Sequence, residues 1–237
     1  MAKNKIDELT EVTKPETDIL DTVENSYSKV EMYIEENQKS LAIIVGVIVA
    51  IVAGYFAFQK LYMAPKEAEA AADMFQAEQY FAKDSLTKAI KGDGINLGFE
   101  AVIEEYSFTK AANLAHYYLG VSYLKQGKFE DAIAQLEDFD SNDEILGPIA
   151  AGAIGDAQME LNKTDDAIDS YIKAANKKKN KFTSPIYLMK AGVAYEDKKE
   201  YANALKIYET IKNDYAETNE GRNVDKYIAR AKLLTSN

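Results

Sequence analysis

Residues 116–136 read HYYLGVSYLKQGKFEDAIAQL, and two later stretches repeat the pattern of this one. They are AGAIGDAQMELNKTDDAIDSY at residues 151–171 and LMKAGVAYEDKKEYANALKIY at residues 188–208. Each stretch has a glycine, an alanine twelve residues later, and a large residue four residues after the alanine. A period near 34 residues with this internal pattern predicts stacked helix–turn–helix units, and therefore an all-α fold.

The spacing of small and large residues gives each position a packing role. The glycines let the two helices of a unit, A and B, approach closely, and the alanines lie where helix B crosses helix A. The large residues fill the gap between units, while Pro148 and Pro185 mark the starts of the second and third A helices. The three sets are Gly120, Gly155 and Gly192; Ala132, Ala167 and Ala204; and Leu136, Tyr171 and Tyr208.

These residues resemble tetratricopeptide (TPR) repeats, whose motif has a large residue, Leu-Gly, an aromatic residue, and then spaced small and aromatic residues. The matches are Leu119-Gly120 and Tyr123 in the first repeat, Ala167, Tyr171 and Ala174 in the second, and Tyr195, Ala204 and Tyr208 in the third. Gln158 replaces the aromatic residue of the second repeat, and Ala191 replaces the leucine of the third. The resemblance implies a TPR-like α-solenoid over residues 65–237, with repeats at about 113–146, 148–183 and 185–218.

Both ends of the predicted solenoid are less regular. Residues 65–110 read as a degenerate unit, in which Phe99-x-x-x-Ile103-x-x-Tyr106 resembles the helix B pattern Tyr208-x-x-Ile211-x-x-x-Tyr215. Within this unit, before the helix B pattern, we expect one long helix that starts at Pro65 and ends at Gly92. Its stripe consists of Ala68, Ala71, Ala72, Phe75, Ala82, Leu86 and Ile90. Residues 219–235, with Val224, Tyr227, Ile228, Ala231 and Leu234, read as the capping helix that a solenoid needs.

Ahead of the solenoid, residues 41–58 read LAIIVGVIVAIVAGYFAF, without any charge and without Asn, Gln, Ser or Thr. A bilayer core is about 30 Å thick, so about 20 apolar helical residues span it. The helices of soluble proteins carry one apolar stripe, whereas this one is apolar on every face. We predict a single transmembrane helix at residues 41–63, with Lys60 snorkelling, and an uncleaved anchor because no cleavage site follows.

The residues before the predicted span divide into two segments. Residues 1–17 are polar and aperiodic, which predicts a disordered head. Residues 18–40 read as an amphipathic juxtamembrane helix that either lies along the membrane interface or docks on another membrane protein. Its apolar stripe consists of Leu20, Val23, Tyr27, Val30 and Ile34. Lysines flank the span equally on both sides, so charge does not decide its orientation.

Composition restricts the function further. The net charge of −11 and a pI near 4.8 argue against nucleic-acid binding. The chain has no cysteine and one histidine, His116, which we place as a packing residue that faces helix B. There is no Gly-rich phosphate loop and no arrangement for nucleophilic catalysis. We therefore predict a protein that is not an enzyme and needs no cofactor or metal.

Four further motifs suggest a function, and for the first three we also give a structural interpretation. The run GDGINLGFE after Lys91 is a loop, because Ile95 and Leu97 would occupy calcium-ligand positions. The acidic residues at 137–144 and 165–166 solvate loops or favour helix dipoles, with acid–base chemistry as the alternative. The basic run at residues 177–181 is a solvated loop, or contacts lipid headgroups or an acidic partner. Asp84-Ser85-Leu86 resembles an O-glycosylation acceptor of Bacteroidetes periplasmic proteins.

The TPR resemblance also implies a concave groove that is lined by the A helices. Most of its predicted lining is apolar, with two acids, which suits a peptide with apolar anchors and a basic residue. Alternatively, the helix before the repeats or the capping helix covers the groove. The predicted lining residues are Leu114, Tyr117, Val121, Leu124, Ile149, Gly152, Asp156, Met159, Ile186, Met189, Val193 and Glu196.

The whole layout resembles the YfgM-like ancillary subunits of the bacterial Sec translocon, with Glu35-Glu36-Asn37-Gln38-Lys39 as the local match before the span. This resemblance implies a single-pass protein of the bacterial inner membrane, with a cytoplasmic N-terminus and a periplasmic C-terminal domain. The implied partners are membrane lipid, Sec translocon subunits, periplasmic peptidyl-prolyl isomerase-type chaperones and translocating polypeptides. It favours a scaffold beside the export channel. The alternatives are a periplasmic scaffold for envelope assembly or cell division, and an oligomerisation module.

Overall fold

The structure, a computed structural model, describes residues 31–236 and divides the chain into two compact units. The first unit ends at Tyr62, and the second begins at Met63. The described residues form helices and turns without strands, so the predicted all-α class is confirmed.

Helix α1, Gln38–Phe58, covers residues 41–58 of the predicted span, and the π-helical turn Gln59–Met63 covers its last five residues. This helix is long and apolar enough to cross a membrane. Its residues are not buried against any other described part of the chain. An apolar helix without protein cover needs a lipid or protein environment to remove its side chains from water.

The second unit is a series of antiparallel helices. Helix α5 packs on α6, α7 on α8 and α9 on α10, and each B helix packs on the A helix of the next repeat. The three A–B pairs cover residues 110–138, 146–177 and 184–214. The helices are α2 Ala64–Ala82, α3 Leu86–Lys91, α4 Phe99–Glu105, α5 Lys110–Lys125, α6 Phe129–Asp138, α7 Leu146–Glu160, α8 Thr164–Lys177, α9 Ser184–Asp197, α10 Tyr201–Asp214, α11 Asn219–Asn223 and α12 Asp225–Thr235.

The glycine positions let helices A and B pack closely, as predicted. A Cβ atom on Gly120 would lie 2.6 Å from Cγ of Leu136, and one on Gly192 would lie 2.3 Å from Cε1 of Tyr208. Ala132 and the equivalent alanines of the other repeats are completely buried. Leu136 also packs with Ala150 of the next A helix, which agrees with its predicted role between repeats.

Four A helices end in the same turn, in which one residue adopts a left-handed conformation. The amide of the left-handed residue and that of the next residue bond back to the last helical turn, as in a Schellman motif. In α2, Asp84 N donates to Phe81 O and Ser85 N donates to Tyr80 O. The left-handed residues are Asp84, Gly127, Asn162 and Lys199, with φ of 55°, 75°, 59° and 61°.

This turn corrects the prediction of one long helix up to Gly92. The chain reverses at Asp84, so α2 is the A helix of the degenerate unit, and α3 and α4 together take the place of its B helix. The buried face of α2 consists of Ala70, Met74 and Ala77. The predicted stripe residues Ala68, Ala71, Ala72, Phe75 and Ala82 are instead exposed. No glycine marks the turn, so the sequence pattern predicts a continuous helix at this point.

The helix B register of this unit also differs from the prediction. Val102 is fully buried, as Ile211 is, whereas Ile103 is only partly buried. The matching pattern is therefore Phe99, Val102 and Tyr106 against Tyr208, Ile211 and Tyr215. After each pattern a threonine caps the next helix: Thr109 Oγ1 accepts from Ala112 N, and Thr218 Oγ1 accepts from Gly221 N.

The capping segment is divided in two. Val224 lies between α11 and α12 and is fully buried, and Ala231 is buried with it. Tyr227 and Ile228 pack against the same core as Tyr208. Leu234, the last apolar residue named for the predicted capping helix, is exposed.

Candidate partner-binding cleft

A cleft of about 730 Å³ opens between three consecutive repeats. It lies at the C-terminal ends of helices α5, α7 and α9 and is floored by Tyr171 of α8. Most of its surface is apolar, which is usual for sites that bind ligands or peptides. The lining residues are Leu124, Lys125, Gly127, Phe129, Asp156, Met159, Glu160, Tyr171, Met189, Lys190, Val193 and Ala194.

Five of the residues that the sequence assigned to the groove line this cleft: Leu124, Asp156, Met159, Met189 and Val193. They come from three different A helices, and the repeat stacking brings them together. Two of them are methionines, whose flexible thioethers adapt to partners of different shape.

The first-repeat residues Leu114, Tyr117 and Val121 lie outside the cleft. They pack in a cluster between the first and second repeats, together with Leu136 and Phe139. The rings of Tyr117 and Phe139 have their centroids 5.4 Å apart.

The remaining predicted residues are distributed over the A helices. Ile149 and Ile186 are partly exposed and do not line the cleft. Gly152 is buried beneath Tyr187 of the next A helix, where an added Cβ would lie 1.9 Å from the ring carbon Cε1. Glu196 forms an ion pair with Arg230 of α12. The capping helix therefore neutralises one of the two predicted groove acids.

The second groove acid, Asp156, belongs to a polar cluster on the cleft floor. Its carboxylate accepts from Lys190 Nζ at 2.6 and 2.7 Å and from the Tyr171 hydroxyl at 2.7 Å. The Lys190 ammonium also lies 5.6 Å from the ring centroid of Tyr171 and 5.8 Å from that of Tyr187, as in cation–π contacts. The cluster ties α7, α8 and α9 together.

Burial dominates the electrostatics of the two tyrosines. Burial and the hydrogen bond to Asp156 raise the pKa of Tyr171. Burial, with a smaller contribution from the Asp156 charge, raises the pKa of Tyr187 to about 12. Both hydroxyls are therefore neutral at physiological pH.

The ion pairs of the two groove acids within the chain change the kind of ligand that we expect. Asp156 and Glu196 each have a cation of this chain beside them, so a basic residue of a ligand would have to displace Lys190 or Arg230. Apolar anchors suit the cleft better than basic ones do. Both pairs join an acid to a base 34 residues later, which is about one repeat. That spacing is the sequence signal that would have identified Lys190 and Arg230.

Polar contacts between helices A and B involve two polar residues of the repeat motif, His116 and Gln158. His116 Nδ1 lies 2.9 Å from Gln135 Oε1 on α6, so His116 faces helix B as predicted. Gln158, at the aromatic position of the second repeat, accepts from the Ser170 hydroxyl at 2.7 Å. A hydrogen bond thus replaces the aromatic packing there.

The acidic motifs outside the cleft have structural roles. Asp93 accepts from the amides of Ile95 and Asn96 and from the Tyr80 hydroxyl, and these bonds hold its pKa well below the usual range. Asp143 accepts from two amides at the start of α7, which lowers its pKa. Within residues 31–236, no three His, Cys, Asp or Glu side chains come together as a metal site would require.

Other predicted positions lie elsewhere. Ser85 is partly exposed and directly precedes α3. Of the juxtamembrane stripe, only Ile34 is among the described residues, where it is helical and exposed. Leu20, Val23, Tyr27 and Val30 lie outside the described residues, as does the predicted disordered head.

Comparisons with known proteins agree with this architecture. The tetratricopeptide repeat family model matches residues 99–143 and 153–216. Among solved structures, kinesin light chain nearly identical TPR-like repeats from Podosopora anserina match with a TM-score of 0.53 and 12% identity, over 72% of this chain and 88% of that chain. A single-residue variant of the same protein matches with the same values. The curated proteins contain no match to the chain.

Residues 99–143 and 153–216 therefore match tetratricopeptide repeats, and the chain has a TPR-like solenoid fold. TPR domains bind protein partners, and this fold is typical of non-catalytic scaffolds. Repeats of this kind indicate a protein–protein interaction scaffold.

Proposed function

We propose that this protein is a membrane-anchored TPR scaffold that binds protein partners beside the Sec protein-export channel. In this proposal α1 spans the bacterial inner membrane once, the N-terminus is cytoplasmic, and the solenoid is periplasmic. The partners are Sec translocon subunits, a periplasmic peptidyl-prolyl isomerase-type chaperone and polypeptides that emerge from the channel.

The cleft between α5, α7 and α9 is the observation that carries the proposal. Leu124, Met159, Met189 and Val193 give it an apolar lining of the kind that holds the apolar side chains of a peptide. Val193 is exposed and the other three are partly exposed, and apolar surface left open across several repeats usually marks an interaction site.

The anchor gives this binding surface its biological location. A weak peptide site held close to a channel exit works at a high effective concentration of its ligand, so modest affinity suffices. The Sec assignment rests on the resemblance of the layout, and in particular on Glu35-Glu36-Asn37-Gln38-Lys39 before the span.

Topology is tested by adding protease to spheroplasts of cells that carry the full chain. We expect the protease to digest the solenoid and to spare the segment before α1. Protection of the solenoid, with the outer membrane removed and a periplasmic marker digested, would contradict the periplasmic assignment.

The partners are tested by photo-crosslinking in cells, with the reactive residue at Tyr27 or at Met159. The first position samples the predicted docking stripe, and the second lines the cleft. We expect translocon subunits from the first, and chaperone or exported polypeptides from the second. Adducts only between copies of this chain would favour the oligomerisation module instead.

A further inference from the structure

Two phenylalanines occupy the same turn position in different units. Phe108 precedes Thr109 before α5, and Phe182 precedes Thr183 before α9. Phe108 is 90% exposed and Phe182 is 62% exposed. Large aromatic side chains are normally buried, so two of them held in water at equivalent places need an explanation.

Hydrogen bonds fix both turns while the rings point outward. Asn180 Oδ1 accepts from the amides of Phe182 and Thr183 at 2.8 and 2.7 Å. In the other turn, the Thr109 amide and hydroxyl both donate to Tyr106 O at 2.8 Å. The turns therefore form without any contribution from the phenyl rings, and the hydrogen-bonded backbone of each turn holds its ring in an exposed position.

The two turns belong to one edge of the solenoid, which we call the entry edge: the start of α2 and the turns at residues 106–109, 139–145, 178–183 and 215–218. Hydrogen bonds connect its members in series. Glu67 of α2 accepts from Lys110 N at the start of α5, Asn113 donates to Asp140 O, Asn180 donates to Glu144 O, and Lys181 donates to Glu217.

The chain enters the solenoid at this same edge. Only Gln59–Met63 separate the end of α1 from the start of α2. If α1 spans the membrane, the lipid surface is covalently held within a few residues of the entry edge. The cleft lies at the other ends of the A helices, near Gly127 and Met159.

We propose that the entry edge rests on the lipid surface, with Phe108 and Phe182 inserted into the interfacial zone of the bilayer. This inference rests on the proposed membrane span of α1. The transfer of a phenyl ring from water to the headgroup–acyl boundary is favourable in free energy. Interfacial segments bury their apolar side chains about 5–10 Å deep at this boundary. The lysines beside Phe182, Lys179 and Lys181, can keep their ammonium groups in the water layer.

Charge is not the main source of this contact. The entry edge carries the basic run at residues 177–181, but also Asp140, Asp143 and Glu144 in the neighbouring turn. Opposite charges on one edge largely cancel their attraction to an anionic surface. Neutral and anionic membranes should therefore hold the edge alike, because the rings supply the contact.

The absence of cysteine makes a direct test possible in the full chain. Single cysteines are introduced as Ser107→Cys, Lys179→Cys, Ile95→Cys and Ala50→Cys, and each is labelled with an environment-sensitive fluorophore. The proteins are reconstituted in vesicles of phosphatidylcholine, or of phosphatidylethanolamine and phosphatidylglycerol, with a nitroxide near the top of the lipid chains for the solenoid labels and near their end for the Ala50 label. Ile95 is the matched control, because it is 92% exposed and lies in the loop after α3. Asp93 of this loop accepts from the Tyr80 hydroxyl in the last turn of α2, at the edge opposite the entry edge, which we call the far edge.

We expect the labels at Ser107 and Lys179 to lose emission about twofold in both kinds of vesicle, as interfacial depth requires, and the label at Ile95 to lose none. Replacing both Phe108 and Phe182 by Ser should abolish that loss. Quenching at Ala50 alone would overturn this inference and leave the span intact. No quenching at Ala50 would overturn the span as well.

Discussion

The close contacts of helices A and B depend on single glycines. Gly192 faces the ring of Tyr208, and an added methyl group would lie 2.3 Å from ring carbon Cε1. Tyr208 is fully buried, so the ring has no room to move away. We expect Gly192→Ala to lower the free energy of unfolding by about 1–3 kcal/mol, as overpacked sites do. Denaturant unfolding of the full chain in detergent measures the change.

Gly54→Ala is the control for this prediction, because no atom apart from the adjacent residues and the backbone of its own helix lies within 4 Å of the position of its added Cβ. It should leave the solenoid transition unchanged. Equal stability of the two variants would show that the Gly192 contact does not limit the packing of α9 on α10.

The stability of the folded protein at alkaline pH depends on the buried tyrosines of the repeats. The pKa of Tyr187 is raised to about 12, mainly by burial, against about 10 in an unfolded chain. The unfolded chain therefore loses this proton at lower pH than the folded chain does, and stability falls as the pH rises from about 10 to 12. We expect Tyr187→Phe to weaken this fall, measured as the denaturation midpoint against pH. An identical alkaline fall in both proteins would contradict the assignment.

At the level of residues, the sequence predicted the small positions but not the charge pairs. A glycine opposite a large residue reads directly from the repeat pattern, because both positions recur in every unit. The pairs Asp156–Lys190 and Glu196–Arg230 occur once each and join different repeats. Their formation depends on how neighbouring A helices are staggered, which the pattern within one repeat does not specify.

Helix α5 receives part of its N-terminal cap from a neighbouring element. The Glu67 carboxylate on α2 accepts from the amides of Lys110 and Ala111 at 2.7 and 3.0 Å. These amides have no partner within their own helix. We expect Glu67→Ala to cost about 1 kcal/mol of stability, as lost caps do, and to speed hydrogen exchange at Lys110 and Ala111.

Glu69→Ala is the matched control for that cap. Glu69 lies on the same helix and pairs only loosely with Lys66, at 3.6 Å, on an exposed surface. Its removal should change stability by less than about 0.5 kcal/mol. Equal effects of the two substitutions would mean that general acidity of α2, and not the cap, stabilises α5.

Element boundaries could be predicted from the sequence where glycine or proline marks them. The turn at Gly127 and the start of α9 at Pro185 follow ordinary signals. The turns at Asp84, Asn162 and Lys199 use non-glycine residues in the left-handed region. Asp and Asn adopt this region more often than other residues but occur widely elsewhere, and Lys has no such preference, so residue type is a weak signal of these turns. For that reason the sequence predicts one helix from Pro65 to Gly92, where the structure has α2, a turn at Asp84 and α3.

The whole solenoid has two edges with different contents. The far edge holds the cleft, and the entry edge holds Phe108 and Phe182. Apolar residues from three repeats meet in the cleft only because the units stack. The pattern within one repeat predicts candidate groove residues on each A helix, but it does not show which of them form one cavity. Leu114, Tyr117 and Val121 follow the same periodicity but pack between two repeats.

The central claim, that the cleft holds the protein partner, is tested most directly by crosslink yield at Met159 in cells. The yield is compared between chains with Val193→Glu and chains with Ala202→Glu. Both sites are exposed, but only Val193 lines the cleft. We predict that Val193→Glu lowers the yield of partner adducts about tenfold, a loss of about 1.4 kcal/mol, because it places a charge among the apolar anchors. The same yield from both chains would contradict the account.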